Sequence, residues 1–484
     1  MSCNRKLVED LKMLETEGID VEEPTKRVVK AGLQFIVGDN LGAHNLAEMN
    51  QVFSSGNICR WCKANYNDVC RKSLCYSECQ DDFKPDDWTV DQYDAYANKA
   101  EEEGRGVATF GVRGHCVFNQ LKSFHCVLQM PPCLGHDWYE GCFSQDLQFY
   151  LDILINKEKL LTQDEFNRRI KNVLLSGRDS KNRPREFKTR KKGAKYEGSA
   201  GSLRILSRVL TILLSDVLDS SQVGSLIMKL VEVGELITAP RLSVDEIDNI
   251  MHFTIVEYLD MRVEAIDDFG MDTVKPKHHF VSHYHKLYKY HGPLIHLWAM
   301  RMESKHQYFK NCIRTSKNFI NPTKTCATRH QRAQITYGFN GLFPRKFDVP
   351  PNAALARDIV AVTVDPFLKM FVSSLSEEAL IPTTINIYGT KYDAGMIVVI
   401  EKKDFGEVLV GVLKAFAFLR KEALFGCTVF EAKQSQHGYY VTTKKVKDIV
   451  VVNQSNLADP HPLQRIGSAD TFSFALHHYV SEAI

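Results

Sequence analysis

Residues 59–62 read Cys-Arg-Trp-Cys, and a C-x-x-C presents two thiolates at the spacing that makes half of a tetrahedral zinc site. Two sources could supply the other half. Cys70, Cys75 and Cys79 lie close by and would close a local knuckle. The stretch "KPKHHFVSHYHKLYKYH" offers His278, His279, His283, His285 and His291 for a long-range site. Spacing alone leaves these two readings even, and thiols packed as small hydrophobes without metal stay open as a third. Among the histidines, positions 279 and 283 share a helix face whereas 278 and 283 do not. A carboxylate also calls for explanation: Glu303 stands in "GPLIHLWAMRMESKHQYFK", a helix whose apolar side draws on Leu294, Leu297, Trp298, Met302 and Phe309. For a single Glu the ordinary reading is a solvated face, because Glu is seldom buried unpaired.

These residues depend on elements that the pattern predicts in outline. A short amphipathic helix spans residues 4–17, and the apolar run Leu33–Val37, stopped by Gly38-Asp39, reads as a buried strand. Helical periodicity follows in "HDWYEGCFSQDLQFYLDILI", "LTQDEFNRRIKNVLLSG", "SLRILSRVLTILLSDVLDSS", "VGSLIMKLVEVGELI" and "VDEIDNIMHFTIVEYLDMRV". Residues 178–195 hold nine Lys/Arg against two acidic residues (9 − 2 = +7), a solvated basic loop. After Pro344 the texture changes. "TTINIYGTKYDAGMIVVI", "EVLVGVLKAFAFL" and "GYYVTTKKVKDIVVV" alternate or run apolar between turn residues, which predicts a small β-rich domain.

With 484 residues the chain can hold two or three domains, and 44% hydrophobic and 25% charged residues are ordinary for a globular protein. A formal net charge of +2 marks no polyanionic partner by itself. No apolar window reaches the length of a membrane span, and "MSCNRKLVEDLKMLETEG" lacks a signal peptide's apolar stretch. We therefore expect a protein of the reducing interior, nuclear or cytoplasmic and not secreted. Its thirteen cysteines would then serve as thiols or metal ligands rather than disulfides.

The order of these residues carries a resemblance. Asp39 precedes the C-x-x-C by twenty residues (59 − 39 = 20), a long helical insertion follows, and His278 and His283 form an H-x-x-x-x-H pair. Glu303 comes twenty residues later (303 − 283 = 20). Together with "GDNLG", "CRWC", "HDWYEG", "PKHHFVSHY" and "MRMESKHQYFK", this order resembles the zinc-containing DDE transposases of the CACTA/Transib group, which include the catalytic subunit of the vertebrate V(D)J recombinase. The resemblance covers residues 20–330 or so. It implies an α/β fold with an RNase H-like core, truncated at its N-terminus and interrupted by a large, mostly helical, zinc-clamped insertion, before the small β-rich C-terminal domain. The segments would be 1–30 (helix and linker), 31–62 (core strand and C-x-x-C), 63–275 (insertion), 276–345 (histidine pair and Glu303 helix) and 346–484 (β-rich domain).

By the same resemblance, Asp39 and Glu303 are catalytic carboxylates, and Cys59, Cys62, His278 and His283 hold a structural zinc. Phosphodiester chemistry of this class uses two Mg²⁺ or Mn²⁺ ions, hard cations that select carboxylate oxygens. His136, Glu140 and His306 are candidate accessory groups. DNA is the implied partner, with Lys188, Arg190, Lys191, Lys192, Lys286 and Lys289 as candidate phosphate contacts; a homo-oligomer is compatible with this reading, a membrane is not. One departure matters. The family's first catalytic aspartate has no counterpart before Asp39, since no apolar strand precedes Asp10 or Asp20. Cleavage and strand transfer are thus expected to be ancestral and weakened or lost. The alternative is a non-catalytic, zinc-stabilised protein that binds DNA or a partner.

Overall fold

The alternating and apolar runs of the C-terminal third fold as an antiparallel meander. β1 (Ile397–Lys402), β2 (Glu407–Leu419), β3 (Glu422–Gln434) and β4 (Tyr440–Asn453) pair in sequence order, and β5 (Asp459–Leu463) returns to flank β1. This computed structural model describes residues 2–22, 26–71, 86–104, 111–175, 179–191, 193–339, 346–403 and 406–481. Among them the sheet has nine strands. Its period of two separates two apolar faces. Val398, Leu413, Phe416 and Phe425 enter one core cluster, while Ile397, Val399, Val410 and Val412 enter another. The helix Pro366–Ser373 covers part of the sheet through Phe371, packed with Ala415 and Ala417. β2 and β3 are joined by Arg420 and Lys421, with Leu419 opposite Glu422 and φ of 49° and 67° at the two turn residues. The β-rich C-terminal region is therefore as the sequence predicts.

The chain divides into two compact units. One comprises Met1–Lys159, Lys188–Arg204 and Ser225–Ala299; the other comprises Leu160–Phe187, Ile205–Gly224 and Met300–Ile484. The helices of the first unit that bear on the site are α1 (Asn40–Leu46), α2 (Ser144–Asp152), α3 (His252–Phe269), α4 (Pro276–Ser282) and α5 (Tyr284–His291). A π-helical segment, Gly135–Phe143, runs into α2 and buries Trp138, Tyr139 and Phe143. α6 (Met300–Ser316), the predicted Glu303 helix, belongs to the second unit. The expected segment 276–345 is thus divided after Ala299.

One predicted element is corrected. Leu33–Val37 joins no strand ladder. Its backbone is held by single bonds, Leu33 N–H to Ser123 Oγ (3.0 Å) and Ile36 N–H to Gln129 O (3.0 Å). An apolar run becomes a strand only when another extended segment lies beside it, and this one lies beside a loop. Among the described residues the first unit has one sheet, the two-stranded pair Ile19–Val21 and Arg27–Val29. No helix among the described residues is long and apolar enough to cross a membrane.

Candidate metal centre

Cys59 and Cys62 come from a turn-rich segment, His279 lies in α4, and His283 caps α4 one helical turn later. All four are buried, and one donor atom from each lies within 4.8 Å of the others. Cys59 Sγ is 3.5 Å from His283 Nε2, Cys62 Sγ is 3.2 Å from His279 Nε2, and the two imidazole Nε2 atoms are 3.3 Å apart. Zinc bonds of about 2.3 Å to sulfur and 2.0–2.1 Å to nitrogen give tetrahedral edges of about 3.6 Å (S–N) and 3.3 Å (N–N). The donors therefore stand close to a zinc tetrahedron. The Trp61 amide donates to Cys59 Sγ at 3.4 Å, as expected around a thiolate. Burial raises both thiols; at Cys59 the Cys62 hydrogen bond and the His283 charge overcome it and hold that thiol well below its usual pKa, while Cys62 is pushed up. A buried Cys₂His₂ set could thus hold a zinc ion.

The set differs by one residue from the expected one: His279 takes the place of His278. The reason is helical geometry. Positions four apart project from one face, so His279 and His283 converge and His278 points away. Both nitrogens of His278 are engaged elsewhere: Nδ1 accepts from the Lys275 amide at 3.1 Å, and Nε2 lies 3.3 Å from Asp146 Oδ2. Neutral His278 protonated at Nε2 satisfies both contacts and has no lone pair left for a metal. Asp146 is fully buried, with Arg262 Nε at 3.0 Å and Tyr258 OH at 2.7 Å. Burial alone would raise this carboxyl, but the Arg262 and His278 interactions outweigh it and hold the pKa at about 2. His278 thus joins α4 by a hydrogen bond to the buried Asp146–Arg262 ion pair.

A second buried network supports the C-x-x-C. Arg60 is 1% exposed; it donates to Asn40 Oδ1 (2.7 Å), Met130 O (3.3 Å) and Pro131 O (3.1 Å), and its guanidinium lies 3.8 Å from the Trp61 ring centroid. Asn40 in turn donates to Asp137 Oδ1, and Tyr284 OH to Asp137 Oδ2. Trp61 packs edge-on against Phe280 of α4, with centroids 5.7 Å apart. Sequence reasoning missed Asp146, Arg60 and Arg262. The available signal was a charge within an apolar helix, as in "CFSQDLQFYL" around Asp146.

Asp39 is the N-cap of α1, where its Oδ1 accepts from the Gly42 amide at 2.6 Å. It also lines a cleft of about 470 Å³ together with Asn40, Phe53, His136, Lys195, Lys275, Lys277 and Phe280. Among the described lining residues, three lysines stand with this one carboxylate. Lys277 Nζ donates to His136 O (2.6 Å) and Lys195 Nζ to Glu140 O (3.0 Å), leaving each ammonium further protons for an anion. Partial desolvation and the Lys277 charge both lower the Lys195 pKa. Gly141 makes this packing possible, since a Cβ there would meet Lys277 Cδ at 2.5 Å.

The remaining predicted residues have local roles. Glu140 Oε1 accepts from the amide of Ala200, the first residue of a helix, at 2.9 Å. His136 Nδ1 lies 3.1 Å from Cys133 Sγ. Lys286 pairs with Asp87 (2.5 Å), Lys289 with Asp248 (2.6 Å) and Arg190 with Glu197 (2.6 Å). Lys188 and Lys191 are exposed, and Lys192 lies outside the described residues. In the second unit, Glu303 occupies the first turn of α6, and His306 is exposed beside Phe309 and Cys326. Of the local-knuckle cysteines, Cys70 is buried outside the cluster, and Cys75 and Cys79 lie outside the described residues. Comparison with protein-family models, curated proteins and solved structures finds no match for this chain.

Proposed function

We propose that this chain descends from the zinc-containing DDE transposases and acts as a zinc-clamped DNA-binding protein with little or no strand-cleaving activity. The observation that carries it is the cationic cleft: its wall includes Lys275, Lys277 and Phe280 around α4, and α4 also presents the zinc ligand His279. Zinc would hold the C-x-x-C loop against α4 and so fix that wall. Lys195, Lys275 and Lys277 suit a phosphodiester backbone, which is bound chiefly through charge neutralisation. The order Asp39, C-x-x-C, histidine pair and Glu303 supports the ancestry.

Weak cleavage follows from the chemistry of the donors. A two-metal site needs several carboxylates around hard cations. Asp39 is the one acid among the described cleft residues, and one of its oxygens already caps α1. Mg²⁺ or Mn²⁺, if bound there, would polarise a phosphate oxygen and the attacking water; what this chain's own side chains supply is anion binding. The test is fluorescence anisotropy on duplex DNA at increasing salt, beside a Mn²⁺ nicking assay. We expect binding that weakens steeply with salt. In the double variant Lys195→Ala/Lys277→Ala the salt slope should fall by about two. Nicking abolished by both Asp39→Ala and Glu303→Ala would establish an active enzyme instead, and salt-independent or absent DNA binding would overturn the proposal.

A further inference from the structure

We infer that the C-terminal sheet carries a second metal site, formed by Asp459, His461 and His478, for one divalent transition-metal ion, zinc in the first instance. Asp459 opens β5 opposite Val399 of β1, and its side chain is 1% exposed. His461, two residues along the same edge strand, has a side chain that is 50% exposed. His478 follows the last strand; it sits between Leu476 and Val480, both anchored in the core cluster that β1 and β2 share. One donor atom from each of the three lies within 4.8 Å of the other two.

The lone pairs favour a cation here. Asp459 Oδ1 accepts from the His461 amide at 2.9 Å and lies 2.6 Å from His461 Nδ1. Its Oδ2, buried, has no hydrogen-bond partner among the described residues and stands 3.5 Å from His478 Nε2. His478 Nδ1 is 3.0 Å from Tyr479 O, a carbonyl that can only accept, so this nitrogen carries a proton. In the neutral ring, Nε2 then directs a lone pair at a carboxylate oxygen. With the ring neutral, that facing pair is repulsive when empty and attractive once a cation lies between. An imidazole whose second nitrogen is bonded to a backbone carbonyl is the usual arrangement of a metal-bound histidine. Zinc bonds of about 2.0–2.2 Å to nitrogen and oxygen give a tetrahedral edge of about 3.4 Å, close to the 3.5 Å observed here.

At His461 the 2.6 Å approach has to open by several tenths of an ångström, which a half-exposed ring can do. His477, with its ring centroid 5.8 Å from that of His461, is excluded because its Nε2 already lies 3.1 Å from Pro462 O and 3.3 Å from Arg208 Nη2. Two neutral imidazoles and one carboxylate leave coordination positions for water on the exposed side, which is also the entry path.

The rival account is a metal-free hydrogen-bonded triad with His478 doubly protonated, and metal stoichiometry separates the two. The full chain is equilibrated with excess zinc, passed through a desalting column and its metal content measured; a parallel sample is loaded with Co²⁺ for absorption spectroscopy. We expect two ions per chain. One gives thiolate charge-transfer bands and depends on Cys59, the other gives only weak d–d bands. His461→Gln and Asp459→Asn should each remove the second ion and leave the thiolate bands unchanged, with affinity at that site lowered at least 100-fold. His461→Gln alters a half-exposed side chain, so its folding is not at stake if Asp459→Asn proves unstable. One ion per chain in the parent protein, or two retained in His461→Gln, would overturn the inference.

Discussion

Replacing His279 and His278 separately tests the assignment of the metal centre, because the two side chains are sequence neighbours with opposite surroundings. His279→Ala deletes one of four donors. Structural zinc is worth apparent values of about 10–16 kcal/mol in small peptides, so an equal share is about 2.5–4 kcal/mol per ligand, or two to three decades in affinity. His278→Ala deletes no donor. It removes the Nε2 contact to Asp146 and the Nδ1 acceptor of the Lys275 amide, and leaves the Arg262 and Tyr258 contacts to that carboxylate in place. Losing two buried hydrogen bonds at about 1–3 kcal/mol each should cost about 2–6 kcal/mol of stability and leave zinc affinity within a few-fold of the parent. The assay is zinc competition against a chromophoric chelator, with urea unfolding run on the same preparations. Near-parental zinc affinity in His279→Ala, with loss of zinc in His278→Ala, would refute the geometric argument and restore the H-x-x-x-x-H set.

Three further outcomes follow from the same structure. Asp146, held at about 2 against its ordinary 3.8, contributes stability that is fully present above about pH 4 and lost as pH falls through 2. Urea midpoints between pH 5 and pH 2.5 should therefore fall in the parent more steeply than in Asp146→Asn, which at neutral pH should be about 3–5 kcal/mol less stable for leaving Arg262 unpaired. Gly141→Ala should displace Lys277 from the cleft and weaken DNA binding severalfold with zinc content unchanged, as read by anisotropy and metal analysis; unchanged binding would remove Lys277 from the interface. In the β2–β3 turn, Arg420 and Lys421 both hold left-handed backbone that asparagine and glycine adopt readily, so Arg420→Asn/Lys421→Gly should stabilise the sheet by about 1–2 kcal/mol and raise its melting temperature by several degrees.

The legible parts of the fold were those written in local pattern. Each predicted helical stretch in the first 270 residues contains a helix, and strong alternation after residue 380 gave the meander. What local pattern could not carry was partnership. Leu33–Val37 has a strand's composition, yet strand formation depends on a neighbour supplied from elsewhere in the chain. At the candidate site the C-x-x-C and His283 were readable from residue type and spacing. The choice between His278 and His279 was readable only from the helix period, which pairs residues four apart and not five. The buried charges Arg60, Asp137, Asp146 and Arg262 were hidden because a charged residue in sequence looks the same whether water or a partner satisfies it. Lys275 and Lys277 flank Pro276 just before the histidines, and nothing in local pattern distinguishes them from the chain's other lysines; only the folded cleft does.

The separation of the zinc donors along the chain decides what the ion does. Cys59 and His283 are 224 residues apart, and Cys62 and His279 are 217 apart. Closing a loop of that length costs about 5 kcal/mol of chain entropy on the cross-link model. The hydrogen bonds and ring contacts around Trp61, each worth about 0.5–1.5 kcal/mol net, are of the same order in total. A zinc ion worth about 10–16 kcal/mol exceeds the closure cost at least twofold. Its effect therefore extends beyond four side chains, to the register of the Cys59–Cys62 loop against α4 and, through Lys275, Lys277 and Phe280, to the wall of the cationic cleft. The ion thus acts on the cleft through the chain it closes, and its removal should loosen that wall before it alters any lysine directly.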